Sequence, residues 1–149
     1  MKMMQRRNFL QALGLVGAAL ALPRVVFARA IEAFKSESVD GVLSNLLGDM
    51  PIESTDLIKF KIPDIAENGA VVPVQISTTI EGVEKIYLLI DNNPTPLSAV
   101  FDIGPKAMAD ISTRVKVGES SKARVVVKTG KKAYMTEKEV KVTIGGCGG

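Results

Sequence analysis

Val72-Pro73-Val74-Gln75-Ile76-Ser77-Thr78-Thr79-Ile80 alternates apolar or β-branched residues with polar or cyclic ones over nine positions. Side chains of a strand point to opposite faces in turn, so this period of two describes a β-strand with one dry face and one wet face. Pro73 has no N–H to donate to a neighbouring strand, which suits an edge position. The pattern recurs on both sides of this stretch. Ile58, Phe60 and Ile62 alternate with Lys59 and Lys61 before it. After it come Leu97, Ala99, Phe101 and Ile103, then Ala109, Ile111, Thr113, Val115 and Val117, then Ala123, Val125 and Val127. The last candidate runs from Lys132 to Ile144, where Val140, Val142 and Ile144 alternate with Lys141 and Thr143. Between Glu84 and Asp91, Ile86, Leu88 and Ile90 fall on one side and Tyr87 and Leu89 on the other. Both of its faces are apolar, so it belongs at the centre of a sheet or against a partner.

Asp91-Asn92-Asn93-Pro94, Gly118 and Gly130 punctuate these stretches as turn residues do. Seven candidate strands without helical crossovers point to an all-β fold, an immunoglobulin-like antiparallel β-sandwich. Antibody domains are excluded, because they need a cysteine pair across the sheets and a tryptophan packed on it, and this chain has one Cys and no Trp. Open sheet edges invite a partner. Ahead of the strands, Val39, Val42, Leu43, Leu46 and Leu47 recur at helical spacing and Gly48 follows them. They predict one short N-terminal helix that covers an end of the core.

The composition closes off several kinds of chemistry. With His absent and Cys present once, the chain lacks the usual metal ligands, histidine-based triads and any internal disulfide. Gly118-Glu119-Ser120-Ser121-Lys122 does not have the spacing of a phosphate loop, and Pro94 bars Asn93-Pro94-Thr95 from glycosylation. Asp64, Glu67, Asp91 and Asp102 are the acids that a carboxylate pair would have to come from, although acids at strand ends are ordinarily solvated. No cofactor is expected. The formal charge of +3 resides in the first thirty residues, where Lys2, Arg6, Arg7, Arg24 and Arg29 stand without an acid. From Ile31 onward 14 basic residues face 16 acidic ones. That balance gives no excess charge for nucleic acid or anionic lipid.

The first thirty residues themselves form an address. Basic residues precede an apolar run from Phe9 to Leu22, and Ala28-Arg29-Ala30 offers small residues for cleavage after Ala28 or Ala30. Fourteen helical residues would reach ~21 Å, short of the ~30 Å hydrocarbon core, so no membrane anchor is expected. Gln5-Arg6-Arg7-Asn8-Phe9-Leu10-Gln11 looks like a twin-arginine signal, although Gln5 and Gln11 depart from its usual flanks. An ordinary secretory signal is the other reading. The twin-arginine route carries folded proteins, which implies a partner acquired before export to the periplasm.

Gly145-Gly146-Cys147-Gly148-Gly149 ends the chain. Glycine has no side chain to bury and loses the most entropy on ordering, so this segment should be exposed and mobile unless a partner orders it. A structural cysteine is buried among apolar residues, whereas Cys147 follows the last of them. Five residues extend ~16 to 18 Å, enough to place a sulfur inside another protein's channel. The flanking glycines keep that arm thin. No basic residue adjoins Cys147 to lower its thiol pKa, so the sulfur is a handle rather than a catalyst. Three readings stand. Cys147 holds a substrate covalently; or the chain is an exported adaptor whose Cys147 only makes an intermolecular disulfide; or it is a thiol enzyme, for which no acid, base or cation stands beside the sulfur in sequence.

Val140-Lys141-Val142-Thr143-Ile144-Gly145-Gly146-Cys147-Gly148-Gly149 resembles the C-terminal signature of the SoxY family of the periplasmic sulfur-oxidising system. Pro63-Asp64-Ile65-Ala66-Glu67-Asn68-Gly69-Ala70-Val71-Val72-Pro73-Val74 is similar to a family segment ahead of its early core strand, and Ile111-Ser112-Thr113-Arg114-Val115 is a weaker match. The resemblance implies three segments: a signal over 1–30 with Arg6, Arg7, Phe9 and Leu10, a sandwich over 31–144, and a swinging arm over 145–149. It implies that Cys147 carries thiosulfate-derived sulfur species and that Gly145, Gly146, Gly148 and Gly149 form the arm. It further implies a heterodimer with SoxZ and visits to the haem enzyme SoxAX and the hydrolase SoxB, whose substrate this non-catalytic chain would be, with the remaining sulfane either oxidised by the dehydrogenase SoxCD or passed to stored sulfur.

Overall fold

The computed structural model describes residues 31–143. Residues 31–35 are helical, and α1 follows at Val39–Leu47. Ser38 caps its start, its side chain accepting the N–H of Gly41 at 3.2 Å. This satisfies one of the donors that a helix leaves open. Gly48 ends it at φ 60, a left-handed geometry that glycine adopts without a Cβ clash, and its N–H reaches the carbonyl of Ser44 at 2.9 Å.

Among the described residues nine strands follow: β1 (Ile52–Ser54), β2 (Ile58–Lys61), β3 (Ile65–Ala66), β4 (Val72–Thr78), β5 (Val83–Ile90), β6 (Leu97–Asp102), β7 (Asp110–Val115), β8 (Ser121–Thr129) and β9 (Ala133–Val142). The large sheet has the order β1-β9-β8-β5-β6, with β3 also paired to β9, and the small sheet has the order β2-β4-β7. Ile58, Phe60, Val72, Val74 and Ile76 of the small sheet meet Ile86, Leu88, Ile90, Val125, Val127 and Val140 of the large one in a single core. The architecture is the β-sandwich expected from the alternating pattern.

β5 is central in the large sheet, between β8 and β6, and its two apolar faces have two different covers. Ile86, Leu88 and Ile90 face the small sheet. Tyr87 and Leu89 face the other way and pack with Val126, Ala133, Val42 and Leu47. The helix therefore lies on the outer face of the large sheet rather than over an end of the core. Burial in this second layer pushes the Tyr87 phenol up to about 12, with Asp102 and Glu84 adding to the shift.

Three further features depart from the sequence expectation. β1 and β3 pair parallel with β9, so the large sheet is mixed rather than purely antiparallel. Pro73 lies in the middle strand of the small sheet rather than in an edge strand. β2 covers only Gln75 to Thr78 of that strand, so Pro73 removes no ladder bond on the β2 side. On β6, Leu88 pairs with Ala99 and Leu89 with Leu97, leaving Ser98 as an extra residue. That bulge turns Leu97 toward the helix layer, while Ala99, Phe101 and Ile103 keep to the main core.

Candidate functional site

The leader residues Arg6, Arg7, Phe9 and Leu10 and the tail residues Gly145, Gly146, Cys147, Gly148 and Gly149 lie outside the described residues. What the structure describes is the platform from which the tail departs. β8 runs antiparallel to β9 from the Lys128↔Ala133 pair to the Ser121↔Val140 pair, and stops two residues short of the end of β9. On the opposite edge of β9, β1 covers Ala133 to Met135 and β3 covers Lys141 and Val142.

The last three described residues are held from alternate sides. The Lys141 N–H donates to the carbonyl of Asp64 at 2.9 Å, and the Thr143 N–H to that of Ala66 at 3.2 Å. The Val142 N–H, which points the other way, donates to Ser120 Oγ at 3.0 Å. A serine side chain thus supplies the ladder bond that β8 no longer reaches to make.

Both holding segments are fixed in turn by neighbouring loops. Asn68 Oδ1 accepts the Ala70 N–H at 3.0 Å, which folds the segment after β3 into a local turn. The Gly69 carbonyl accepts the Val117 N–H at 2.7 Å. A Cβ at Gly69 would stand 2.3 Å from the Val117 carbonyl oxygen and 3.0 Å from Val142 Cγ1, so only glycine fits. Asn92 Nδ2 donates to the Ser120 carbonyl at 2.9 Å, and the Asn92 N–H donates to Ser121 Oγ at 3.0 Å. Asn93 brackets the same loop, its Nδ2 donating to the Lys116 carbonyl at 2.9 Å and its Oδ1 accepting the Gly118 N–H at 3.0 Å. A cavity of about 260 Å³ lined by Ser120, Ser121, Lys122, Glu139, Val140 and Lys141 opens beside this platform.

Charge on the outer face of the large sheet ties three strands together near the same end. Arg124 grips Asp91 with two nitrogens, Nε to Oδ1 at 2.9 Å and Nη2 to Oδ2 at 2.8 Å, and reaches Glu137 with Nη1 at 3.0 Å. Lys122 Nζ lies 2.7 Å from Glu137 Oε1. The bond to Asp91 pushes the Arg124 guanidinium further up. Lys122 and then Arg124 draw the Glu137 carboxyl below its ordinary range. The candidate acids are not gathered: Asp91 pairs with Arg124 beyond the end of β5, while Asp102 pairs with Lys85 near its start. Asp64 serves through its backbone carbonyl. Among the described residues no group of three or more His, Cys, Asp or Glu is placed to hold a metal ion.

The family model described as sulfur oxidation protein SoxY matches residues 43–147, from inside α1 to Cys147 itself. The chain belongs to the SoxY family. The solved structure of the sulfur carrier protein SoxY from Chlorobium limicola f thiosulfatophilum is 37% identical, with 72% of this chain and 97% of that one covered and a TM-score of 0.66. No curated protein matches. A model of the twin-arginine translocation signal matches residues 3–23, which include Arg6, Arg7, Phe9 and Leu10. This signal directs the SoxY chain to the periplasm, and no helix among the described residues is long and apolar enough to cross a membrane.

Sequence reasoning picked out Cys147 and its glycines but not the residues that build their support. In sequence Ser120 belongs to a stretch without phosphate-loop spacing, Asn92 and Asn93 are turn residues, and Asn93 heads a sequon that Pro94 bars. Between Pro63 and Val71 the residues carry no strand period, and the resemblance is what marks the segment as a unit. Its task in the fold is to supply β3, the two carbonyls on β9 and the close approach at Gly69.

Proposed function

We propose that this SoxY chain is a covalent carrier of sulfur intermediates, with Cys147 as the attachment point and Gly145, Gly146, Gly148 and Gly149 as a narrow arm around it. The observation that carries this reading is the match of a sulfur-oxidation family through to Cys147, the chain's one thiol, which in sequence follows by five residues a β-strand whose last residues are held on both sides. The similar structure from Chlorobium is titled a sulfur carrier protein, which supports the same role.

The chemistry is thiol chemistry driven by visiting enzymes. Conjugation joins the Cys147 sulfur to the sulfane sulfur of thiosulfate, forming one S–S bond and releasing the thiol proton and two electrons, which a haem enzyme such as SoxAX accepts. Hydrolysis by an enzyme such as SoxB then cleaves the sulfane–sulfonate bond with water, releasing sulfate and two protons and leaving a persulfide on Cys147. A dehydrogenase such as SoxCD then oxidises the persulfide's outer sulfur to a sulfonate with three waters, releasing six protons and passing six electrons to its own acceptor, and a second hydrolysis releases sulfate and restores the Cys147 thiol. In a host without that dehydrogenase the sulfane passes to stored sulfur. In this scheme SoxY is a substrate and has no turnover of its own, and its folded-state export fits a heterodimer with SoxZ formed before translocation.

The test is genetic. Replacing Cys147→Ser in the host is expected to abolish thiosulfate-dependent oxygen uptake while SoxY still accumulates in the periplasm. Uptake at the wild-type rate would favour the adaptor reading, in which Cys147 only links chains.

A further inference from the structure

The hydrogen bonds at the end of β9 do more than complete a sheet. Lys141, Val142 and Thr143 bond alternately to β3 and to Ser120, so consecutive residues are held from opposite sides up to Thr143. β8 has already ended, and apart from the bond to Ser120 this stretch is held by the two-residue parallel bridge to β3 and by the packing of Val142 on the core. Parallel pairs are slightly the weaker kind, and a bridge of two residues standing alone is marginal. Gly69 presses the loop after β3 onto Val142 from the core side, with no space for a methyl group. Asn92 holds Ser120 itself in place.

We infer that Ser120 and Gly69 are positioning residues that clamp the base of the arm at Thr143, so that the tether bearing Cys147 has a fixed origin and a fixed length. This rests on the carrier reading. With the clamp closed, Cys147 lies four residues beyond Thr143, a reach of ~13 to 14 Å between Cα atoms. With the clamp open, the last residue still paired to β8 is Val140, and Cys147 lies seven residues away. The effective concentration of a tethered group that already spans its target falls roughly as the −3/2 power of tether length, so this fraying dilutes the sulfur about two- to threefold at an enzyme's active site. A short tether also forces the enzyme to approach the platform closely, because a channel deeper than the reach is never filled.

The experiment uses full-length SoxY purified from host periplasm together with whatever partner accompanies it. Three quantities are compared: amide hydrogen exchange at Val142, the rate at which host periplasmic extract and thiosulfate add mass to Cys147, and the rate of Cys147 alkylation by iodoacetamide. Ser120→Ala is expected to speed Val142 exchange about fivefold, as loss of one net hydrogen bond does. It should slow enzymatic loading about two- to threefold, leave alkylation unchanged, and be rescued in both altered readouts by Ser120→Thr. Gly69→Ala should act in the same direction and more strongly. Inserting three glycines after Ile144 should reproduce the slower loading without changing Val142 exchange, which a merely structural role for Ser120 does not predict. Wild-type loading in Ser120→Ala, or wild-type exchange at Val142, overturns the clamp while leaving the carrier reading intact. Loading that persists in Cys147→Ser overturns the carrier reading, and the clamp with it.

Discussion

At the end of the sandwich where β9 finishes, loops from separate parts of the chain are bracketed to one another by side chains. Asn92 and Asn93 hold the 116–121 segment, Ser120 holds Val142, and the Gly69 carbonyl holds Val117. At the opposite end the segments between β4 and β5 and between β6 and β7 surround a cavity of about 450 Å³. Strand-edge bonds such as Thr78 N–H to the Ala109 carbonyl and Ile103 N–H to the Glu84 carbonyl, with Thr78 Oγ1 donating to the Leu57 carbonyl, anchor the bases of these segments. Within them the bonds are local, Ala107 N–H to the Gly104 carbonyl and Asp110 N–H to that of Met108, and Met108 itself is 84% exposed. One frame therefore carries a braced end and an open end. Loop-to-loop bonds resist displacement of a strand terminus, which matters where a tail must start from a defined point and matters little elsewhere.

Four perturbations separate the frame from its two ends. Leu88 is fully buried in the core that both ends share, so Leu88→Ala should lower stability by about 2 to 5 kcal/mol in denaturant titration and loosen both ends alike. An unequal loosening in hydrogen exchange would break the idea of a common frame. Tyr87 belongs to the helix layer. Its folded-state pKa stands above the unfolded value, so its contribution is complete below pH 10 and is lost as pH rises to about 12, on the order of 2 kcal/mol across that interval. Tyr87→Phe should flatten the stability curve over the same interval, and an unchanged alkaline limb would remove this assignment. Asn93→Ala should cost about 1 kcal/mol, and it should raise exchange at the Gly118 amide while sparing the segment around Met108. Met108→Ala should shift stability by less than about 0.5 kcal/mol, since an exposed side chain away from any packed feature contributes little.

The comparison also shows which parts of the molecule a sequence can disclose. The seven longer strands, β2 and β4 to β9, are legible because a one-sided or two-sided apolar period survives over several residues. β1 and β3 span three and two residues, too short to carry a period, and their parallel pairing with β9 depends on where the chain returns in space. The bulge at Ser98 hides because Leu97, Ala99, Phe101 and Ile103 keep a perfect spacing of two while the strand bends between the first pair. At the site, composition singles out Cys147 as the one thiol and the glycines as its neighbours. Ser120, Asn92 and Asn93 are ordinary polar residues in sequence, and only tertiary pairing makes them brackets.

Covalent loading of Cys147 is the central claim, and intact-mass spectrometry of SoxY from thiosulfate-grown host periplasm tests it most directly. The account predicts a population heavier by sulfane or thiosulfate-derived sulfur, localised to the C-terminal peptide, removed by a thiol reductant and absent in Cys147→Ser. A wild-type chain found only as the free thiol or as a disulfide-linked dimer under those conditions would contradict it.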